Sequence, residues 1–360
     1  MKKTIITILV ILVILSIYAF NIVWTTGFFR EINNEFDGKI AKIIDIPGAE
    51  DMAISYEDHF ILVSSDDRAA SLNGRPHTGG IYKIDLKQDP FSAKLISRSF
   101  PQHFFPHGIS MIKLDSAVYK VYAVNHVDKP GAGNVMDHTG KDHSIEVFRL
   151  EGDSLIFLET LKDPLIKSPN DLVAIDENRF YMTNDHGADS KLGVLAENYL
   201  GRALANVIYY DGSNYKEVAG SIAYANGINY DRQRNLIFVA SPRKFMVKTY
   251  QIETDGGLRF IEDIDCGTGV DNIEIDQNGR MWIGAHPNLL RFSAYAAGKE
   301  ETSPSELITI DYRDTGDYEV KSIYVNDGET MSGSSVAVVY GNYIYTGNVM
   351  DDQFLILERD

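Results

Sequence analysis

From residue 40 onward, apolar and polar positions alternate in short runs that Gly, Asn, Asp and Pro interrupt. Alternation at period two is strand patterning, because successive strand side chains point to opposite faces. One internal stretch departs from it. Lys191 to Leu204 places Leu192, Leu195, Tyr199, Leu200 and Ala203 at helical spacing and predicts a short helix. The other departure is the start of the chain. Met1-Lys2-Lys3 precedes an apolar run from Ile5 to Phe20 that continues through Ile22, Val23 and Trp24. About twenty helical residues span about 30 Å, the thickness of a bilayer core. Tyr18, Phe20 and Trp24 are bulky where a signal-cleavage site would carry small residues, and Trp24 suits a membrane interface. The readings are an uncleaved anchor, a cleaved signal or a buried helix. Lys2 and Lys3 favour a cytoplasmic N-terminus, so either of the first two exports the body. The chain thus divides into a membrane or signal segment, 1–29, and a strand-rich domain, 30–360.

The strand-rich part repeats. A doublet of polar or small residues leads straight into an alternating strand at Glu50-Asp51, His107-Gly108, Asn170-Asp171, Asn226-Gly227, Asp271-Asn272 and Ser334-Ser335. A second strand follows each doublet, as in Ile61 to Ser65, Val121 to Asn125 and Met281 to Ala285. Counted at the second doublet residue, the spacings are 57, 63, 56, 45 and 63. Six such units with no long helix predict an all-β, six-bladed β-propeller, preceded by the transmembrane or signal helix and carrying one short helix. The strand around Ile43 to Ile46 is expected to pair with Phe354 to Leu357 and close the ring, because an open edge is a liability.

In a propeller the innermost strands line the channel, so the doublets meet at one end of it. Glu50, Asp51, Asn170, Asp171, Asn226, Asp271 and Asn272 then converge, and carboxylates gathered this closely call for a cation. Mixed amide and carboxylate oxygens are the preference of calcium, whereas zinc takes nitrogen and sulfur. A lone Asn-Asp pair before a strand forms a turn, but recurrence in one register favours ligation. His107 and His126 share the register, where one could act as base and the other orient it. His186 and His286 end equivalent strands. His138 and His143 fall in a Gly-rich insertion from Gly131 and read as solvated loop residues.

Charge narrows the partners. Lys and Arg number 34 against 51 Asp and Glu, a net charge of −17, which disfavours nucleic acid. The single cysteine, Cys266, excludes an internal disulfide and a cysteine-rich zinc site, and reads as a structural thiol. No GxSxG elbow, HExxH motif or Walker loop occurs.

Several segments resemble the serum paraoxonase/arylesterase family in the family's order. They include Gly48 to Asp51, Phe105 to Ser110, Val124 to His126, Pro169 to Asp171, Thr183 to His186, Tyr224 to Asn229, Val270 to Ile273 and His286 to Asn288. The resemblance covers about residues 40 to 358. It implies a six-bladed propeller with two calcium ions. The catalytic ion would be held by Glu50, Asn170, Asn226, Asp271 and Asn272. The structural ion would be held by Asp51, Asp171 and the carbonyl of Ile109. His107 and His126 would be the dyad that activates water, and His186, Tyr224, His286 and Val349 would surround the pocket. The activity implied is hydrolysis of lactones and aryl esters. The vertebrate ring-closing disulfide is missing, and Ala285 stands at the family's free-cysteine position. Lys191 to Leu204 falls where the family places a helix over the active site, so it is expected to act as a lid or membrane-facing element. Two other functions compete. One is a gluconolactonase-type propeller with one metal, and the other is a non-enzymatic, calcium-stabilised binding propeller.

Overall fold

The computed structural model describes residues 2–98, 100, 103–128 and 141–360. Helix α1, Lys2–Trp24, is long and apolar enough to cross a membrane, and its surface is uncovered by the rest of the chain. Past it, six antiparallel sheets form the blades of a β-propeller. Their inner strands are Ala49–Ser55, Pro106–Asp115, Pro169–Ala174, Ile228–Asp231, Gly269–Ile275 and Ser334–Tyr340. Each inner strand starts at or beside one of the six doublets. Among the described residues, three short α-helices punctuate the ring: α2, Arg68–Leu72; α3, Lys191–Leu200; and α4, Leu289–Ala296.

Alternation along each strand builds the core between blades. In the second strand of blade one, Ile61 and Val63 pack with Val336, Val338 and Phe354 of blade six. Phe60 and Leu62, on the other face, pack with Tyr119, Val121 and Phe148 of blade two. Similar clusters lie between the remaining neighbours. Each fully buried Ile, Leu, Val or Phe contributes about 1.5–3 kcal/mol. A blade buries both faces, and this is why these strands read as apolar runs rather than clean alternation.

The ring closes as the terminal patterning predicts. The N-terminal strand Gly38–Ile44 is the outer strand of blade six and pairs with Phe354–Arg359, with Ile43 opposite Leu355 and Ile44 opposite Phe354. It ends two residues before Ile46, where Pro47 and the left-handed Gly48 turn the chain into the first inner strand. A two-residue strand, Glu35–Phe36, extends blade five.

The helix predicted to reach Leu204 stops at Leu200. Gly201 adopts a left-handed φ of 66° and returns its N–H to the Ala196 carbonyl, which caps the helix. Leu192 is 80% exposed, and Leu195, Tyr199 and Leu200 are exposed with it, whereas Val194 and Glu197 point inward. Glu197 accepts the N–H groups of Gly187 and Ala188, so a carboxylate fastens the inner face.

Candidate active and metal site

The doublets bring their side chains to one mouth of the channel. A cavity of about 330 Å³ opens there. Its floor carries Glu50, Asn170, Asn226 and Asp271, with His107 and His126 beside them. Tyr224, His286 and Val349 also line it. Val194, Leu195 and Tyr199 of α3 and Leu289, Leu290 and Phe292 of α4 supply apolar walls.

The floor is built around unpartnered oxygens. Asn272 donates its amide to the Glu50 carbonyl at 3.1 Å and to Glu50 Oε1 at 3.0 Å. His286 Nε2 holds Asp271 Oδ2 at 2.8 Å. These contacts use one side of each group. Glu50 Oε2, Asn170 Oδ1, Asn226 Oδ1, Asp271 Oδ1 and Asn272 Oδ1 are all buried with no hydrogen-bond partner among the described residues. A buried polar atom left unpaired costs about 1–3 kcal/mol. Five of them converging, two on carboxylates, fit a hard cation with oxygen ligands. Burial pushes the Glu50 carboxyl up to about 7 against the pull of Arg68, and the neighbouring Asp271 adds to the rise.

Asp51, Asp171 and Ile109 form a second set outside the cavity lining. Here the carboxylate oxygens already have partners. Asp51 accepts from Met52 N and from Ile109 N, at 2.9 and 2.7 Å. Asp171 accepts from Leu172 N and Ile228 N, at 2.7 and 2.8 Å. Each aspartate therefore bridges its own blade to the next. Burial holds both carboxyls well above the usual range. Glu274, which the doublet pattern passes over, stands near Asp51, and burial and then that charge raise its carboxyl likewise. It lies two residues beyond Asn272 on the same face of the strand, a spacing that could have found it.

The histidines take more specific places than the pattern gave them. His107 and His126 stack, with centroids 4.9 Å apart and planes 19° apart. Arg68 donates from Nη2 to His107 Nδ1. Guanidinium is a donor only, so Nδ1 is unprotonated and the proton sits on Nε2. Nε2 faces Glu50 Oε1 at 3.6 Å. Arg68, rather than His126, therefore sets the tautomer of His107. His126 Nε2 meets the Pro169 carbonyl at 2.7 Å. Arg68 also reaches the Val349 carbonyl at 3.2 Å, and Asp66 lies 3.9 Å from its Nε. Sequence reading missed Arg68, which stands in the one-turn helix α2.

His286 supports Asp271 as well as lining the pocket, and its ring stacks on Phe292 at 3.6 Å. His143 is not solvated. It is buried in a strand opposite His126, and the two rings meet edge to face at 4.8 Å. The strand register puts them side by side. His138 and the insertion from Gly131 to residue 140 lie outside the described residues.

His186 is absent from the cavity lining and fastens α3. Its Nδ1 meets Asp185 Oδ1 at 2.7 Å and its Nε2 meets Asn198 Oδ1, in α3, at 2.8 Å. Tyr224, at a left-handed φ of 65°, packs edge-on against it. Burial alone would lower the His186 pKa, yet the Asp185 charge and hydrogen bond and the Asn198 contact raise it to about 9. A histidine raised by folding contributes stability that is full below its unfolded pKa of 6.5 and lost as pH climbs through about 9. Amide exchange in α3, corrected for intrinsic rates, is therefore expected to accelerate between pH 6.5 and about 9. In His186→Gln that pH step should be absent; a step of equal size there would assign the loosening to another group.

An arylesterase family model matches residues 69–355, most of the propeller. The chain belongs to the arylesterase family. It is 34% identical over 278 residues to serum paraoxonase/arylesterase 2 of Homo sapiens, covering 75% of this chain and 74% of that one. Serum paraoxonase/lactonase 3 of Homo sapiens is 32% identical over the same shares of both chains. Among solved structures, a gluconolactonase from Xanthomonas campestris shares the fold with a TM-score of 0.52 at 12% identity, covering 91% of this chain and 98% of that one. As an arylesterase-family member the chain is an ester or lactone hydrolase acting on a small molecule.

Proposed function

We propose that this arylesterase-family chain is a calcium-dependent hydrolase of lactones and aryl esters, held at a membrane by α1 with its propeller outside the cytoplasm. The observation that carries the calcium reading is the set of five buried, unpartnered oxygens of Glu50, Asn170, Asn226, Asp271 and Asn272. A second calcium would lie at Asp51, Asp171 and the Ile109 carbonyl. The carboxylates there keep lone pairs beyond those their backbone partners use. Calcium at the first set supplies a Lewis acid for the substrate carbonyl and charge for the developing oxyanion.

The remaining work falls to the chain itself. The walls from α3 and α4 hold an apolar acyl group and exclude water. His107 accepts a proton from the attacking water at Nδ1. For that, Arg68 must release Nδ1, and Asp66 is the acceptor beside it. His126 supports the His107 ring by stacking, with its own Nε2–H held by Pro169.

The test is turnover of an unsubstituted γ- or δ-lactone and of phenyl acetate by the full chain in detergent. It is run with calcium, after chelation, and after calcium is restored. Loss and recovery of both activities is the expected result. Calcium that raises the melting temperature of a protein inert toward every ester and lactone would instead favour the binding-propeller alternative.

A further inference from the structure

The anchor does not join the propeller through a slack linker. Thr25 to Arg30, the segment leaving α1, is built into the cavity wall. Thr26 is 2% exposed and lines the cavity. Its carbonyl accepts from Leu289 N, the first residue of α4, at 2.9 Å. Gly27 has a left-handed φ of 71°, and a Cβ there would stand 2.0 Å from the Pro287 carbonyl oxygen. Backbone thus lies against backbone, one residue from the His286 that supports Asp271. Arg30 closes the segment with two 2.7 Å hydrogen bonds to the buried carboxylate of Glu306.

Arg243 connects this segment to the lid. It is 8% exposed and lines the same cavity, with no carboxylate in ion-pair range among the described residues. Nε donates to the Asn198 carbonyl at 3.2 Å and Nη2 to the Tyr199 carbonyl at 3.5 Å, both in the last turn of α3. Nη1 reaches Thr25 Oγ1 at 3.3 Å. A cation at a helix C-terminus satisfies orphan carbonyls and the helix dipole. Here the same cation also holds the end of the anchor. Tethering alone would need none of these contacts, since a flexible Gly/Ser-type linker tethers as well.

We propose that the exit segment of the anchor is a wall of the substrate cavity, with Thr26 a specificity-determining residue and Arg243 a positioning residue that locks the segment to the lid. The small side chain of Thr26 at this wall leaves room for an acyl chain, while Phe28 and Phe29 turn outward and are exposed. The ligand class is a lactone or ester with an extended alkyl tail, so the inference rests on the hydrolase reading.

The experiment uses the full chain in detergent with calcium and compares γ-lactones with no tail and with an eight-carbon tail. Thr26→Leu is expected to lower the long-to-short ratio of kcat/KM by about tenfold, the scale of a few methylenes' worth of space in an apolar pocket. Arg243→Met and Gly27→Ala should shift the ratio in either direction and speed amide exchange across α3. A ratio equal to wild type in both Thr26→Leu and Arg243→Met overturns the proposal. Should the wild type turn over no lactone or ester, the hydrolase reading fails and lid exchange decides this one. Faster exchange in Arg243→Met and Gly27→Ala keeps the segment coupled to the lid; unchanged exchange in both overturns it.

Discussion

Chelation of calcium is expected to abolish lactone turnover, by at least about a thousandfold, and to lower the melting temperature by about 10 °C. The first figure follows from the charge on the reacting centre. Losing one oxyanion donor in a hydrolase costs about 10²–10³-fold, and the metal also organises the floor. The second follows from mass action. A ligand at a thousand times its dissociation constant stabilises by about 4 kcal/mol, and a domain above about 150 residues shifts by roughly 2–4 °C per kcal/mol. Without a cation, Glu50 and Asp271 each keep a buried carboxylate oxygen with no partner among the described residues, and the Asp271 charge raises the Glu50 carboxyl. Asn272→Ala should reproduce most of the loss, because it removes one ligand and the amide that holds Glu50 in place.

The pH dependence has a definite sign. Burial raises the metal-free Glu50 carboxyl from 4.5 to about 7. The stability this contributes is present below pH 4.5 and disappears as pH rises to about 7, which costs the chelated protein about 3 kcal/mol. Calcium requires the ionised carboxylate, so its stabilising effect grows over the same window. Melting curves with and without calcium from pH 5 to 8 should therefore diverge. Parallel curves across that range, or a chelated enzyme that keeps its activity, would remove calcium from this site.

His107→Gln is expected to cost 10²–10⁴-fold in kcat, the usual range for a general base. Arg68→Met should cost less, about 10–100-fold, since it frees Nδ1 and loses the tautomer lock together. The double variant should be no worse than His107→Gln, because Arg68 acts through that ring. Losses that multiply would instead place Arg68 on the substrate directly. Full kcat in His107→Gln would leave the metal floor in place and take the histidine out of the chemistry.

The blades were readable because the cue is local. A doublet followed by alternating apolar residues marks an inner strand wherever it falls, and all six inner strands begin there. The gathering of Glu50, Asn170, Asn226 and Asp271 at one mouth was readable for the same reason, since the register that lines up the strands lines up their first side chains. Residues that act by distant contact left no such cue. Arg68 follows Asp66-Asp67 in a one-turn helix capped by Asp67, and nothing in that stretch points to His107. Arg243 follows Ser241-Pro242 and reads as a surface turn until the ends of α1 and α3 are placed over it. Glu197 of α3 left no cue either, because it is a buried carboxylate around which two backbone amides take the place of water.

The closing strand pair sets a timetable for making the protein. Blades two to four can each zip up from consecutive hairpins as they are synthesised, but blade six takes its outer strand from near the beginning and the rest from the very end of the chain. Gly38–Ile44 must wait, unpaired, until Phe354–Arg359 has been made. While it waits, the outward Lys39 and Lys42 discourage its pairing with the wrong edge. A ribosome that stops a few codons early therefore leaves an open ring with two sticky edges rather than a slightly trimmed enzyme.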